Sequence, residues 1–277
     1  TFETPFGERL MVYCDYTASG RCLRFVEAYL QSLQRVYANT HTEDDITGRS
    51  MTQLLHEAET AIKHSMRAGP DGRIVAVGTG ATGAIEKLQQ IVGVALPPAT
   101  RQQLFDVMDM PDCEIDSACF RRTFNEKGPV VFVGPYEHHS NEIMWRTSLA
   151  TTIEVRLDAT GQVDLGHLEE LLQDPKYQGR LRIGSFSAAS NVTGIKTDVK
   201  AVATLLHKYD VMACFDFAAC APYVEIDMNP PPDNEGDDPS IDAVFISPHK
   251  FLGGPGSSGV LVFNKRIYHG ELRAVRR

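Results

Sequence analysis

Seven short apolar runs rich in β-branched residues alternate with amphipathic windows along this chain of 277 residues. They span residues 73–77, 130–133, 152–157, 182–187, 211–217, 243–247 and 259–263. Helical periodicity occupies the intervals near residues 23–36, 51–66, 83–95, 140–146, 165–173 and 197–209. Nearly continuous apolar strands that alternate with helices predict an α/β fold, in which helices cover both faces of a mostly parallel seven-stranded sheet.

Two segments interrupt this alternation. Residues 97–129 open with Pro97-Pro98 and predict an inserted helix and loop, whereas residues 228–240 are acidic and rich in proline and predict a surface loop. The length suits one large domain. We therefore expect an N-terminal segment over residues 1–40 and a single large domain over residues 41–277.

Composition excludes several classes of protein. The formal net charge of −9, with scattered Lys and Arg, argues against a nucleic-acid or anionic-membrane partner. No apolar run approaches the roughly 20 residues of a membrane span, and the first ten residues do not resemble a signal peptide. The six cysteines show no C-x-x-C pair and no zinc spacing, which favours a reducing cytoplasm. Two of them, Cys214 and Cys220, are expected to be small buried apolar residues.

A glycine-rich turn follows the first predicted strand. Gly78, Gly80 and Gly83 form a G-x-G-x-x-G pattern, which by itself is a weak match to a dinucleotide-binding fingerprint. That fingerprint also requires a second strand ending in an acidic residue about 20 residues later, and none is present. We therefore expect a phosphate cradle made of backbone N–H groups at a helix start, without a dinucleotide.

Chemically capable side chains follow several other predicted strands. Because the carboxyl ends of parallel strands meet at one edge of the sheet, these groups are expected to share one site. They comprise the turn at 80–82, His138 and His139, Ser190 and Asn191, Asp216, and the group Ser247, His249 and Lys250. A lysine, a carboxylate, a flat ring and a phosphate cradle together suit pyridoxal 5′-phosphate (PLP), whose aldehyde forms a Schiff base with lysine.

Six stretches carry a more specific signal. In chain order they are "YCDYTASGR", "GTGATGAIEKL", "EHHSNEIMWR", "ASNVTGI", "FDFAACAPYVEID" and "SPHKFLGGPGSSG". Their content and order resemble the class V aminotransferase family of fold-type I PLP-dependent enzymes, which includes cysteine desulfurases and selenocysteine lyases. The resemblance extends from about residue 12 to residue 263 and implies the large domain of that fold.

The resemblance implies a role for each matching residue. Lys250 would form the Schiff base and move protons at the substrate Cα, Asp216 would pair with the pyridine nitrogen, and His138 would stack on the ring. Asn191 would lie near the 3-hydroxyl group. Ala81, Thr82, Ser247 and His249 would hold the phosphate. The resemblance also implies an amino-acid substrate and a homodimer.

The sequence departs from the family pattern in three ways. Ala219 stands where many cysteine desulfurases have Gln, and Gly83 stands where a polar residue is frequent. Family members also continue into a smaller C-terminal domain that supplies a carboxylate-binding arginine and, in desulfurases, a reactive loop cysteine. No residue after 263 matches these, so the chain is expected to be the large domain of a longer protein or a natural truncation.

Several functional hypotheses stay open at this point. The first is a PLP-dependent enzyme that cleaves a C–S or related bond of an amino acid. The alternatives are a class V aminotransferase, another PLP lyase, or a cofactor-binding domain without turnover. An NAD-dependent oxidoreductase that uses the glycine-rich turn is disfavoured. A zinc site built from His138, His139 and His249 is also disfavoured, because no supporting spacing accompanies them.

Overall fold

The computed structural model describes residues 1–268 and contains one large sheet and one hairpin. The hairpin pairs β1 (Phe2–Thr4) with β2 (Gly7–Arg9). The strands of the large sheet are β3 (Gly72–Val77), β4 (Val130–Val133), β5 (Thr151–Glu154), β6 (Arg182–Ser187), β7 (Met212–Asp216), β8 (Ala243–Ile246) and β9 (Gly259–Asn264). Their spatial order is β3-β9-β8-β7-β6-β4-β5.

The sheet is mostly parallel, as predicted. Strands β5, β4, β6, β7 and β8 pair in parallel, whereas β9 is antiparallel to both of its neighbours, β8 and β3. Strand β3 therefore points in the same direction as β8. The carboxyl ends of six strands consequently lie at one edge of the sheet.

Eight α-helices connect or flank these strands in the described part of the chain. They are α1 (Arg24–Gln34), α2 (Ile46–Ser65), α3 (Gly80–Val92), α4 (Pro98–Met108), α5 (Ser117–Lys127), α6 (His139–Arg146), α7 (Leu165–Gln173) and α8 (Val199–Lys208). No helix within residues 1–268 is long and apolar enough to cross a membrane.

Helices cover both faces of the sheet because successive strand residues point to opposite sides. In β4, Phe132 packs in one apolar cluster with Leu206 of α8, and Val133 packs in another with Leu88 of α3. All four residues are fully buried. The predicted two-sided coverage is therefore confirmed.

The sequence prediction was incomplete in two places. Residues 97–129 contain two helices rather than one, and α5 begins where the Asp116 side chain accepts a hydrogen bond from Cys119 N. Neither α4 nor α5 buries a residue, so their apolar periodicity is weak. The hairpin β1–β2 was missed because its strands have only three residues each and are almost wholly exposed.

Other expectations agree with the described residues. Cys214 and Cys220 are buried, and residues 228–240 form an irregular, largely exposed segment. The last part of the expected large domain, residues 269–277, lies outside the described residues. The expected boundary near residue 40 stays a prediction.

A partly buried cluster of charged side chains ties the acidic segment to the sheet. His207 Nε2 lies 2.9 Å from Asp242 Oδ2, and His207 Nδ1 lies 2.8 Å from the backbone oxygen of Asp238. Arg266 bonds to both aspartates. Burial alone would lower the pKa of His207, but the hydrogen bond and charge of Asp242 outweigh it, so the pKa is raised.

This cluster predicts a pH-dependent contribution to stability. A group whose pKa is raised on folding stabilises the fold below its unfolded pKa and loses that effect as pH rises through the folded pKa. We expect His207→Gln to lower the free energy of unfolding more at about pH 6 than at about pH 8.5, measured by urea denaturation. The exposed His64→Gln is the matched control, and an equal loss at both pH values would contradict the prediction.

Candidate active site

A cavity of about 580 Å³ opens at the carboxyl edge of the sheet. Loops after β3, β4, β6, β7 and β8 contribute to its lining. All eight site residues expected from the sequence line it: Ala81, Thr82, His138, Asn191, Asp216, Ser247, His249 and Lys250. The fold thus brings together residues that are up to 169 positions apart, the separation between Ala81 and Lys250.

Lys250 lies in a short 3-10 turn directly after β8. Its backbone N–H donates to Ser247 O at 3.0 Å, which closes the turn. The side chain is half-buried, and burial lowers the pKa of Lys250, although the nearby carboxylates of Asp216 and Asp15 oppose this change. A lowered pKa increases the fraction of neutral amine, which is the nucleophilic form.

Asp216 ends β7 and is almost completely buried, with 4% of its surface exposed. Its Oδ1 accepts a hydrogen bond from Ala218 N at 2.8 Å. Burial raises the pKa of Asp216 to about 6, against the opposing effects of that hydrogen bond and of Lys250. A buried carboxylate that faces the cavity is suited to bind a cationic ring nitrogen.

The turn between β3 and α3 forms a tight polar cradle. Gly80 has a φ of +55°, and a Cβ atom there would lie 2.8 Å from both Ser247 Oγ and His249 Cε1. Ser247 and His249 can therefore approach this backbone so closely only because residue 80 is glycine. Ala81 N donates to Ser247 Oγ at 2.9 Å, so the N–H group expected to bind phosphate directly is instead paired with another cradle residue.

His138 caps the start of α6. Its Nδ1 accepts a hydrogen bond from Ser140 N at 3.2 Å, and Ser140 Oγ lies 2.7 Å from Thr82 Oγ1. Burial and the charge of Lys250 lower the pKa of His138, as they do for His249. Both imidazoles are thereby biased toward the neutral form near neutral pH.

The structure adds residues that the sequence analysis did not assign. Asp15, Thr17 and Ala18 of the N-terminal segment line the same cavity. The segment is held there because Gly20 N donates to His249 O at 2.9 Å. This segment contains the stretch "YCDYTASGR", which resembles a family motif. The stretch has neither strand nor helix periodicity, so the sequence does not predict where it lies in the fold. Asn191, in contrast, was expected and lies at the exposed rim.

The dinucleotide hypothesis conflicts with the topology. The glycine-rich turn leads into α3, but α4 follows instead of a second parallel strand. Within residues 1–268, strand β3 also pairs only with the antiparallel β9. The βαβ unit that holds a dinucleotide is therefore absent at this turn among the described residues.

Larger cavities exist elsewhere in the described part of the chain. One of about 860 Å³ lies at the opposite edge and contacts Arg182 and Met212, the first residues of β6 and β7. Ligands of open α/β sheets bind at the carboxyl edge instead. Within residues 1–268, no group of three or more His, Cys, Asp or Glu side chains is arranged to hold a metal ion.

Comparison with known proteins agrees with this geometry. The pattern of the class-V aminotransferase family matches residues 117–272, more than half of the chain. The chain belongs to the class-V aminotransferase family. The matched region includes Asp216, the cradle residues after β8 and Lys250.

Two curated relatives are each named a probable cysteine desulfurase. The relative from Halalkalibacterium halodurans is 25% identical over 200 residues, which cover 71% of this chain and 45% of that protein. The relative from Chlamydia muridarum is 39% identical over 95 residues, which cover 33% of this chain and 22% of that protein. The matched regions thus span less than half of either relative.

Solved structures share the fold. The cysteine desulfurase CsdA from Escherichia coli superposes with a TM-score of 0.64 at 22% identity, covering 92% of this chain and 54% of that chain. A NifS-like protein from Rickettsia africae gives a TM-score of 0.64 at 17% identity, covering 93% and 59%. The expected fold, that of the large domain of fold-type I PLP enzymes, is confirmed.

The crowding at Gly80 gives a stability prediction. Gly80→Ala should destabilise the fold through both its left-handed backbone and the clash with Ser247 and His249. Gly179→Ala is the matched control, because Gly179 also has a positive φ (+71°) but no atom within 4 Å of the added Cβ. We expect a loss of about 1 kcal/mol for Gly179→Ala, and at least about 1 kcal/mol more for Gly80→Ala, measured by chemical denaturation. Equal losses would show that the cradle is not crowded.

Proposed function

We propose that this protein is a PLP-dependent enzyme that acts on an amino acid through Lys250, with cysteine desulfurase-like C–S bond cleavage as its reaction. The observation that carries the proposal is the convergence on one cavity of the half-buried Lys250 amine, the buried Asp216 carboxylate and the Gly80 cradle. Membership of the class-V aminotransferase family supports it.

The cavity residues fit the cofactor's chemistry. The turn at Gly80 packs closely against the Ser247 hydroxyl and His249, and it leads directly into the first turn of α3. This arrangement suits a phosphate, since α3 presents the positive end of its dipole there. We assign phosphate binding to Thr82, Ser247 and His249, with Ala81 acting through the hydroxyl of Ser247.

The remaining residues would bind and orient the ring. Asp216 would hold a proton on the pyridine nitrogen, His138 would pack against the ring face, and Asn191 would lie near the 3-hydroxyl group. When bound, PLP supplies an electron sink for negative charge at the substrate Cα. Lys250 Nζ would accept and return the Cα proton, a task that its lowered pKa favours.

The choice of C–S bond cleavage rests on the relatives. The two curated relatives described above are named probable cysteine desulfurases, and CsdA from Escherichia coli is named a cysteine desulfurase. A class V aminotransferase, another PLP lyase, or a cofactor-binding domain without turnover are the alternatives. Ala219, which lines the cavity beside Asp216, is the position at which the cofactor contacts would differ from those of many desulfurases.

A homodimer and a cytoplasmic location stay predictions. Exposed apolar side chains near the N-terminus support an interface, since Phe25 and Tyr29 of α1 are 72% and 53% exposed. Exposed apolar patches of this kind commonly mark protein contacts.

Cofactor attachment gives the direct test. With PLP added, we expect a visible absorbance band that borohydride bleaches, and a cofactor mass fixed on the peptide containing Lys250. Lys250→Ala should abolish both, whereas Lys265→Ala, which removes a surface ion pair with Asp71, should change neither. A band of equal strength in Lys250→Ala would refute the assignment.

A substrate panel separates the candidate reactions. With a thiol reductant added, which supplies the two electrons that convert the removed sulfur atom to sulfide, we expect the PLP-loaded protein to release sulfide and alanine from L-cysteine faster than it converts other amino acids to keto acids. The rates would be measured by sulfide colorimetry and by chromatography of the products, with Asp216→Asn as the inactive reference. Keto-acid formation without sulfide would favour the aminotransferase, and cofactor binding without any product would favour the non-catalytic alternative.

A further inference from the structure

A second buried carboxyl group lies beside the proposed cofactor site and has no role in the function assigned above. Glu137 directly precedes His138, and its two carboxylate oxygens accept three hydrogen bonds. Ser187 N donates to Oε1 at 2.8 Å, while Ser187 Oγ and Asn141 Nδ2 donate to Oε2 at 2.7 and 2.6 Å. The carboxylate thus joins the loop after β4 to the last residue of β6 and to α6.

The donors to Glu137 are themselves held in one orientation. Asn141 is fully buried, and its Oδ1 accepts hydrogen bonds from Trp145 Nε1 at 3.0 Å and from Ser185 Oγ at 2.6 Å. Its amide group can therefore present only N–H donors to Glu137. A glutamine at position 137 would place its own NH₂ group against either Asn141 or the Ser187 backbone, whichever way its amide turned.

The backbone also makes room for this carboxyl group. A Cβ atom at Gly134 would overlap Glu137 Oε1. The first residue of the loop after β4 thus has to be glycine for Glu137 to take this position, which indicates a built feature rather than a surface glutamate folded inward.

We propose that Glu137 is a positioning residue of the cofactor site. Its carboxylate clamps the loop that bears His138 to β6 at Ser187, which pairs in register with Asp216 on β7. The ring-facing imidazole and the ring-nitrogen carboxylate are thereby held at a fixed separation. This role of Glu137 extends the proposed function. Its test by PLP binding rests on that function, whereas its test by stability in the absence of PLP does not.

The charges around the clamp define its pH dependence. The groups that face it are Asp216 from β7, Ser187 from β6 and Asn141 from α6, with Lys250 acting on Asp216 and with Tyr136 and His138 as chain neighbours. Burial raises the pKa of Glu137 from 4.5 to about 7, the three hydrogen bonds oppose this, and the charge of Asp216 adds to it. A carboxyl group with a raised pKa stabilises the fold below its unfolded pKa and loses that effect as pH rises.

The experiment compares the wild type with Glu137→Gln and with Glu142→Gln. The control makes the same chemical change on α6, at a partly exposed residue paired with Arg146. By fluorescence titration, we expect Glu137→Gln to raise the Kd for PLP roughly 3- to 10-fold, the effect of about one lost buried hydrogen bond. Glu142→Gln should leave the Kd unchanged, and equal Kd values for all three proteins would overturn the proposal.

A second readout needs no cofactor. In the PLP-free protein, the free energy of unfolding of the wild type relative to Glu137→Gln should fall as pH rises from 4.5 to about 7 and then level off. A difference independent of pH would show that Glu137 is not the buried acid described here. If the wild type itself binds no PLP, the proposed function fails, but this pH profile still tests the clamp.

A milder variant covers the case in which Glu137→Gln does not fold. Ser187→Ala removes the hydroxyl donor at 2.7 Å and keeps the backbone donor at 2.8 Å. We expect a smaller rise of the Kd for PLP, roughly 2- to 5-fold. A Kd equal to that of the wild type in Ser187→Ala, with Glu137→Gln unfolded, would count against the clamp.

Discussion

The candidate site depends on the antiparallel strand β9, which is inserted between β3 and β8. Its first residue, Gly259, pairs with Val77 at the end of β3, and Val260 pairs with Ile246 at the end of β8. The glycine-rich turn after β3 and the lysine turn after β8 are therefore two strands apart at the same edge. Because of this pairing, Ala81 in the glycine-rich turn and Lys250, which are 169 residues apart in sequence, line the same cavity.

Burial then sets the chemical character of the groups at that edge. Asp216 and Glu137 have raised pKa values, and Lys250 has a lowered one, because each charged form loses hydration there. Hydrogen bonds and the attraction between Asp216 and Lys250 offset part of this cost. Asp216 and Glu137 therefore change protonation close to neutral pH, the range in which proton transfer by side chains is most efficient.

Two helices, α3 and α6, also position groups at this edge of the sheet. The start of α3 faces the cradle, while α6 is capped by His138 and bonded through Asn141 to Glu137. The same helices bury Leu88 and Trp145 against the sheet. The positions of these polar groups consequently depend on the packing of the core, since a shift of either helix would change both.

Much of the fold was accessible from local patterns. All seven strands of the large sheet and the helices beginning near residues 24, 139 and 165 were located to within a few residues, because their apolar residues recur with the period of a strand or a helix. The exposed helices α4 and α5 were not resolved because their apolar residues recur less regularly, and the hairpin strands were not resolved because they have only three residues each. The eight candidate site residues belong to a larger set that follows strands, whose carboxyl ends converge in parallel sheets, and the family resemblance selected them from that set.

The sequence by itself determined which residues form the strands of the large sheet and which side chains follow them, because both properties are encoded within a few neighbouring positions. Only the tertiary structure decided that β9 runs antiparallel, that Asp15 enters the cavity, and that Ala81 N pairs with Ser247. It likewise decided that Glu137 is enclosed by Ser187 and Asn141. These features arise from contacts between distant segments, and their energies depend on burial and distance, which no local pattern specifies.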